Sequence, residues 1–298
     1  MIKVTNLEKS LGGSKILNNI NLNIEKGSIY GLIGPNGAGK TTLIKTLVGI
    51  YEPEAGKVMI NGESIKENTK IKSRIGYVSD FQYFYPNFTV SEMAWFYRNT
   101  YPMWNEEKYN SLKNIFKLPN KKIKRLSKGM KTQLSLLLNL SISPEVLILD
   151  EPTSGLDPVI RRKVLNLIVD EVSINNTTVL TSTHNLLELE QICDHIGIMY
   201  NGEILLEENI DEIKSKVRKI QVVFNGTIPE EIKNHKDVLH IDYKGKVYQF
   251  VVNDNLDEFI EETKKYNPIL LEMIDMSLEE IFIYKMGGVG YAFEDITL

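Results

Sequence analysis

The chain has 298 residues, of which 42% are hydrophobic and 25% charged, a composition too apolar for disorder and long enough for about two domains. It contains no run of about 18 apolar residues, its first residues lack the pattern of a signal peptide, and Cys193 is its single cysteine. We therefore expect no transmembrane segment, no intrachain disulfide and residence in a reducing cytoplasm.

The formal net charge of −4 is distributed unevenly along the chain. From Asp211 to the end there are 11 Lys+Arg and 17 Asp+Glu, so this part carries a net charge of −6. This change in net charge predicts a domain boundary near residue 210. We assign the first domain to residues 1–215 and the second to residues 216–298. An acidic second domain repels phosphate backbones, so we expect no nucleic acid partner.

The first 65 residues predict short strands joined by turns. Strands are predicted in the segments IKVTNL, SKILNNINLNIEKG and IYGLIG, and the last of these runs into a glycine-rich loop. The segment KVMINGES predicts a hairpin that turns at Asn61-Gly62, a dipeptide typical of tight hairpin turns.

From Thr89 to about Ser143 the apolar spacing becomes helical, most clearly at 91–97 and 133–142, which predicts a helical subdomain over about 86–143. Three strand-like runs follow at 146–150, 177–183 and 195–200. Between the first two, Asp157 is the predicted N-cap of a helix and Pro158 its first residue. Strands that are apolar throughout and alternate with helices indicate a parallel sheet covered on both faces, an α/β fold.

After about Arg218 the pattern predicts a small α+β unit of ferredoxin-like type. Its predicted elements are a strand in IQVVF, a short helix in PEEIKNH, a hairpin turning at Lys244-Gly245, an amphipathic helix in LDEFIEETKKY and a strand in PILLEMI.

The segment GPNGAGKT at 34–41 has the composition of a phosphate-binding loop. It follows a predicted strand and precedes a predicted helix, so its backbone N–H groups can surround a phosphate at a helix N-terminus. Lys40 supplies a positive charge for the β and γ phosphates, and the Thr41 hydroxyl suits Mg²⁺. An ordinary glycine-rich turn with an exposed lysine is the alternative, and the strand-loop-helix context favours phosphate binding.

The strand VLILD ends in two adjacent acids, Asp150 and Glu151. Asp150 can hold Mg²⁺, and Glu151 can accept a proton from an attacking water. An apolar strand that ends in acids is common by itself, but here it follows a phosphate loop along the chain.

The segment LSKGMK at 126–131 is a second candidate anion site, at the start of a predicted helix. Ser127 is alternatively a simple helix cap. We interpret the lysine and arginine side chains around this segment as a solvated surface and not as a nucleic-acid-binding site.

Together these motifs, with SGLD at 154–157 and STH at 182–184, resemble in order and spacing the ATP-binding cassette (ABC) ATPases, over about residues 1–210. The resemblance implies a P-loop NTPase cassette with a mixed sheet core and a helical subdomain, here followed by the small α+β module. It implies ATP and Mg²⁺ as ligands, a second cassette paired head to tail, and a separate transmembrane permease that holds the protein at the cytoplasmic face of the membrane.

The resemblance also implies roles for particular residues. Glu151 is the implied general base and His184 the implied contact to the γ-phosphate and the attacking water, although a lone histidine is more often structural. Asp157 is the implied coupling residue between the two sites of the dimer, and Ser127, Lys128 and Gly129 the implied contacts to the partner's nucleotide. The implied ATP-binding residues are Gly34, Pro35, Asn36, Gly37, Ala38, Gly39, Lys40, Thr41 and Thr42.

The sequence departs from the family pattern at several of these positions. Leu11 stands where an aromatic side chain usually stacks on adenine, so we expect modest affinity and loose base selectivity. Asp80 stands where a glutamine usually begins a mobile loop; it can still bind Mg²⁺, with Gln82 as a possible substitute. In LSKGM at 126–130, the signature motif of the family, Lys128 and Met130 replace the usual Gly and Gln, and Lys128 can attract the γ-phosphate across the dimer. With Glu151 and His184 intact, we expect hydrolysis to survive.

Residues 81–104 hold ten of the 26 aromatic side chains. We expect many of them in the core of the helical subdomain and others in a groove for a short helix of the membrane partner. With Asp80, LSKGM and the small C-terminal module, the sequence resembles bacterial export-type cassettes for peptide toxins and antimicrobials, a resemblance that implies export. The alternatives are a soluble cassette ATPase that acts on ribosomes or DNA and a nucleotide-sensing module. Cassette ATPases of the DNA-repair type carry an inserted long coiled coil. Only 46 residues separate Asp80 from Ser127, too few for such an insertion.

Overall fold

The computed structural model describes residues 1–253 and 255–287. The chain divides into two compact units, the first Met1–Glu207 and the second beginning at Glu208. The end of the predicted C-terminal tail, beyond Gly287, lies outside the described residues.

The strands of the first unit are β1 (Ile2–Leu11), β2 (Ser14–Ile24), β3 (Ile29–Ile33), β4 (Ala55–Ile60), β5 (Glu63–Ser64), β6 (Ile75–Val78), β7 (Val146–Asp150), β8 (Thr178–Ser182), β9 (His195–Tyr200) and β10 (Glu203–Asn209), the last of which crosses the boundary. Its helices are α1 (Lys40–Leu47), α2 (Thr69–Lys72), α3 (Val90–Thr100), α4 (Glu106–Phe116), α5 (Lys128–Ser141), α6 (Pro158–Asn175) and α7 (Leu186–Ile192).

The centre of the first unit is a six-stranded sheet in the order β10-β9-β3-β8-β7-β6. β3 pairs in parallel with both β8 and β9, and β7 pairs in parallel with β6 and β8. Every residue of β3, β7 and β8 is buried, which confirms the prediction of a parallel sheet covered on both faces. Because these strands are parallel, their carboxyl ends share one edge of the sheet, where ligands bind in such folds.

A second sheet, in the order β2-β1-β4-β5, packs its apolar side chains into the same core. β4 and β5 form the predicted hairpin, and Asn61 and Gly62 take the left-handed φ values of 52° and 79° that its turn requires.

The helical subdomain contains α3, α4 and α5, and the predicted helical segments lie in the first and last of these. α3 begins with a capping box between Thr89 and Glu92, and α5 is capped by Ser127. α4 was not predicted as a separate helix, although Asn105 caps it through a hydrogen bond from the Lys108 N–H. α6 begins as predicted, with Asp157 as N-cap and Pro158 as its first residue.

The second unit contains α8 (Ile210–Lys216), β11 (Val217–Val223), α9 (Glu230–Lys233), β12 (Val238–Lys244), β13 (Val247–Asn253), α10 (Leu256–Lys264), β14 (Leu270–Ile274) and α11 (Leu278–Gly287). Its antiparallel sheet has the order β12-β13-β11-β14, which with α9 and α10 gives the predicted βαββαβ arrangement. The predicted hairpin turn was one residue too early. Lys244 pairs with Val247, so the turn consists of Gly245 and Lys246, and Gly245 takes a left-handed φ of 64°.

Within the described part of the chain, every helix falls short of the length or the apolar character needed to cross a membrane.

Candidate functional site

The predicted phosphate loop joins the end of β3 to the start of α1 at the carboxyl edge of the central sheet. Gly34 lies so close to β9 that an added Cβ would sit 2.1 Å from the Met199 carbonyl oxygen. Gly37 and Gly39 take left-handed φ values of 84° and 106°. These positions need glycine, and the loop delivers backbone N–H groups to the N-terminus of α1, where an anion is favoured.

Lys40, the first residue of α1, is folded over this loop. Its ammonium group donates hydrogen bonds to the Gly34 carbonyl and, at 3.0 Å, to the Pro35 carbonyl. Burial lowers the pKa of Lys40, while the nearby carboxylates of Glu151 and Asp150 act in the opposite direction. The loop therefore presents a positive charge beside two acids.

Asp150 ends β7 and is 3% exposed. Its Oδ2 accepts a hydrogen bond from the Thr41 hydroxyl at 3.0 Å, and its Oδ1 accepts one from the Ser182 hydroxyl at 2.6 Å. The oxygens of Thr41 and Asp150 are hard donors that suit Mg²⁺, which is typically held by one or two protein oxygens together with phosphates.

Glu151 follows directly and has a left-handed backbone, with a φ of 53°. This conformation is costly for a residue with a side chain, and such strain concentrates at functional sites. The Glu151 N–H donates to the Ser182 carbonyl at 3.0 Å, and the carboxylate oxygens lie 3.0 and 3.1 Å from Nδ1 of His184. Burial raises the pKa of Glu151, and the contact with His184 partly offsets the rise. A partly buried carboxylate oriented by an imidazole can act as a general base.

Lys40, Asp150 and Glu151 border a cleft of about 340 Å³, the phosphate-loop cleft, whereas His184 lies outside its lining. Its lining consists of Leu11, Ile16, Asn36, Gly37, Ala38, Gly39, Lys40, Thr41, Thr42, Asp80, Asp150 and Glu151. Leu11, at the end of β1, and Asp80, after β6, thus lie in the same cleft as the phosphate loop. Gln82 instead donates its side-chain amide to the Ser79 carbonyl.

The ABC transporter family model matches residues 17–154 of this chain. The ABC transporter ATP-binding protein YtrB of Bacillus subtilis is 34% identical over 97% of this chain and 99% of its own length. The chain belongs to the ABC transporter ATP-binding proteins. It is an ATPase subunit, and ATP is its nucleotide.

Two further relatives are similar over most of this chain. The bacitracin transport ATP-binding protein BcrA of Bacillus licheniformis is 32% identical over 97% of this chain and 98% of its own. The lantibiotic transport ATP-binding protein SrtF of Streptococcus pyogenes is 37% identical over 76% of this chain and 97% of its own.

Solved structures have the same cassette fold. An ATP-binding subunit of an ABC transporter is 27% identical, with a TM-score of 0.67 over 72% of this chain and 92% of its own. The cassette MJ0796, solved as a post-hydrolysis dimer with ADP and Pi, is 26% identical, with a TM-score of 0.64 over 70% of this chain and 99% of its own.

The signature residues of this ABC protein lie at the start of α5, outside the lining of the cleft. Ser127 accepts a hydrogen bond from the Met130 N–H at 3.2 Å, which is a capping contact. A Cβ added to Gly129 would lie 2.9 Å from the Gly155 carbonyl oxygen, so glycine lets α5 approach the loop after β7. Asp157 caps α6 by accepting from the N–H groups of Val159 and Ile160, each at 3.1 Å. All three residues have structural roles within their own chain.

A polar network that the sequence did not predict lies behind the catalytic candidates, centred on the buried Glu188. One Glu188 oxygen accepts from the Thr153 hydroxyl at 2.7 Å, and the other accepts from the Asn185 side-chain amide at 3.1 Å and lies 3.4 Å from the Arg161 guanidinium. The network joins the loop that follows Glu151 to the loop that carries His184. The sequence signal for this network is Glu188 itself, an acid that lies between leucines about one helical turn after His184.

Proposed function

We propose that this ABC protein binds ATP with Mg²⁺, hydrolyses it with Glu151 as general base, and thereby powers export of a peptide through a separate membrane-spanning subunit. The relatives support a peptide as the exported substrate, because one is named for bacitracin transport and another for lantibiotic transport.

One observation carries the proposal of hydrolysis. The Glu151 carboxylate borders the same cleft as Lys40 and Asp150 and lies 3.0 Å from His184 Nδ1. In this proposal Thr41 and Asp150 hold Mg²⁺, Lys40 binds the terminal phosphates, and Glu151 accepts the proton of the attacking water. His184 orients that carboxylate and contacts the γ-phosphate.

A second cassette completes each site in this proposal. Ser127 and Gly129 of one subunit face the nucleotide held on the phosphate loop of the other, and Asp157 couples the two sites. The capping role of Ser127 is compatible with this, because a helix N-terminus favours anions. The second cassette is an identical copy or a paralogue.

The membrane partner is a separate chain that binds the exposed aromatic side chains of α3 and of the loop between β6 and α3. Four aromatic side chains there are largely exposed: Phe81 (71%), Tyr83 (88%), Tyr85 (55%) and Trp95 (64%). Exposed aromatic clusters of this kind are typical of protein interfaces. Binding there holds the cassette at the cytoplasmic face of the membrane.

The proposal is tested by ATP-dependent peptide uptake into inverted membrane vesicles that contain this chain and the membrane protein that copurifies with it. We expect uptake of labelled bacitracin or a lantibiotic with wild type, and none with Glu151→Gln. We expect Glu107→Gln, a matched change at an exposed site on α4, to transport normally.

ATP hydrolysis without any peptide uptake would contradict the export step. Cosedimentation with ribosomes in place of a membrane protein would contradict the transport assignment. Equal hydrolysis by wild type and Glu151→Gln would remove Glu151 from its proposed role.

A further inference from the structure

Two departures from the family pattern contact each other within one chain. The Lys128 ammonium, at the start of α5, lies 2.9 Å from Oδ1 of Asp80, which follows β6 and lines the phosphate-loop cleft. The two residues are 48 positions apart. Lys128 is therefore close to this cleft through a residue of its own subunit.

Two further contacts hold the Lys128 side chain in this position. Its ammonium lies 3.3 Å from the Ser154 hydroxyl and 5.8 Å from the centre of the Phe81 ring. A hydroxyl and an aromatic face both favour a cation. Lys128 thus connects the start of α5 to the segments that follow β6 and β7.

The pair is exposed enough to open. The side chains of Lys128 and Asp80 are 54% and 31% exposed, and ion pairs at such exposure contribute little net stability. Asp80 also lines the same cleft as Thr41 and Asp150, the oxygens that suit Mg²⁺. A stronger ligand for the Asp80 carboxylate can therefore displace the lysine.

We propose that Lys128 is a positioning residue for Asp80 of its own subunit, and that Lys128 and nucleotide-bound Mg²⁺ compete for the Asp80 carboxylate. While the pair is closed, Lys128 neutralises an acid that would otherwise repel the phosphates of ATP. When Mg²⁺ enters with the nucleotide, Asp80 exchanges the lysine for the metal. This inference rests on the proposed ATP site and extends it to the two residues that depart from the family pattern.

The test is the affinity for ATP, measured by calorimetry with EDTA and again with Mg²⁺, at protein concentrations that sedimentation shows to be monomeric. Monomers matter because a contact of Lys128 with a partner's nucleotide requires a dimer, whereas the pair within one chain does not. The variants are Lys128→Met, Asp80→Asn, the double variant and Lys128→Arg. Lys121→Met, at another exposed lysine in the stretch that precedes α5, is the control for the loss of an exposed cation.

In EDTA we expect Lys128→Met to weaken ATP binding about fivefold, because it leaves an unpaired carboxylate at the cleft. With Mg²⁺ we expect the loss to disappear, because the freed Asp80 binds the metal. In the Asp80→Asn background the same change should have no effect, since no acid remains to be neutralised. Lys128→Arg and Lys121→Met should bind as wild type does.

An equal loss in the wild-type and Asp80→Asn backgrounds would overturn the proposal, because Lys128 would then act on the nucleotide directly. The absence of any loss in EDTA would overturn it too. Failure of the ATP site itself is recognised separately, as wild-type binding that Lys40→Ala leaves unchanged.

Discussion

Glu151 combines three properties that single residues rarely share. Its backbone is left-handed, its side chain is mostly buried, and its carboxylate faces an imidazole 3.0 Å away. The hydrogen bond from its N–H to Ser182 ties it to the neighbouring strand and maintains the strained conformation. The sequence predicted the residue and its neighbourhood. It could not predict the left-handed turn, because nothing in the local composition demands positive φ at a glutamate.

The pKa of Glu151 leads to a prediction about pH. Burial raises this pKa, whereas the hydrogen bond and the charge of His184 lower it. A general base must be ionised, so ATPase activity rises as the pH rises through the Glu151 pKa. His184→Ala removes the two lowering effects, and we expect the acid limb of the residual kcat/KM profile to move to higher pH. A profile that keeps its acid limb in place would show that His184 does not tune Glu151.

Glu188 supports a second prediction at this scale, concerning the loops behind the site. Glu188→Ala leaves the Thr153 hydroxyl and the Asn185 amide without their acceptor, and we expect it to cost about 2 kcal/mol of unfolding free energy. We also expect kcat to fall more than ATP affinity, because the network joins the loops of Glu151 and His184 and leaves the phosphate loop intact. Chemical denaturation and steady-state kinetics measure the two effects.

Glu188→Gln is the informative companion variant, because its amide keeps one oxygen acceptor and should recover part of the stability. Glu107→Ala, at an exposed position on α4, controls for the loss of a glutamate in general. If Glu188→Ala leaves kcat unchanged, the network contributes to the stability of the protein and not to catalysis.

At the level of elements, the sequence was most informative where periodicity and end signals agreed. The buried strands β3, β7 and β8, the Asp157 cap of α6 and the Asn61-Gly62 hairpin were all predicted from local chemistry. The strand order of the central sheet could not be predicted from local chemistry, because it depends on pairings between distant segments. The same holds for the Lys128–Asp80 pair, whose members lie on separate elements brought together only by the fold.

Asp157 allows two roles of one residue to be separated. As the N-cap of α6 it accepts two backbone hydrogen bonds, and asparagine can accept them equally well. We expect Asp157→Ala to lower the unfolding free energy of the protein by about 1 kcal/mol, and Asp157→Asn to leave it nearly unchanged. If Asp157 also couples the two sites of a dimer through its charge, both variants will weaken ATP-driven dimerisation, measured by sedimentation. Normal dimerisation of Asp157→Asn would leave capping as the role of its side chain.

On the scale of the whole molecule, each unit has a hydrophobic core of its own. The core of the first unit joins the strands of both of its sheets to α1, whereas that of the second unit is formed by residues such as Ile220, Phe250 and Phe259. The relatives YtrB and BcrA match 97% of this chain, so their similarity extends into the second unit, whereas SrtF matches 76%. SrtF is aligned over 97% of its own length, so this relative is shorter than the present chain.

A chain that ends at Asn209, where β10 ends, is expected to bind ATP as the full-length protein does. The reason is that the phosphate loop, Asp150, Glu151, His184 and the Glu188 network all belong to the first unit, together with the core that supports them. The truncation also removes the net charge of −6 carried by residues from Asp211 onward, so any dimerisation opposed by that charge should become stronger and less dependent on salt. Calorimetry with ATP and sedimentation at low and high salt measure the two effects. Loss of ATP binding by a truncated protein that remains folded would show that the second unit contributes to the nucleotide site.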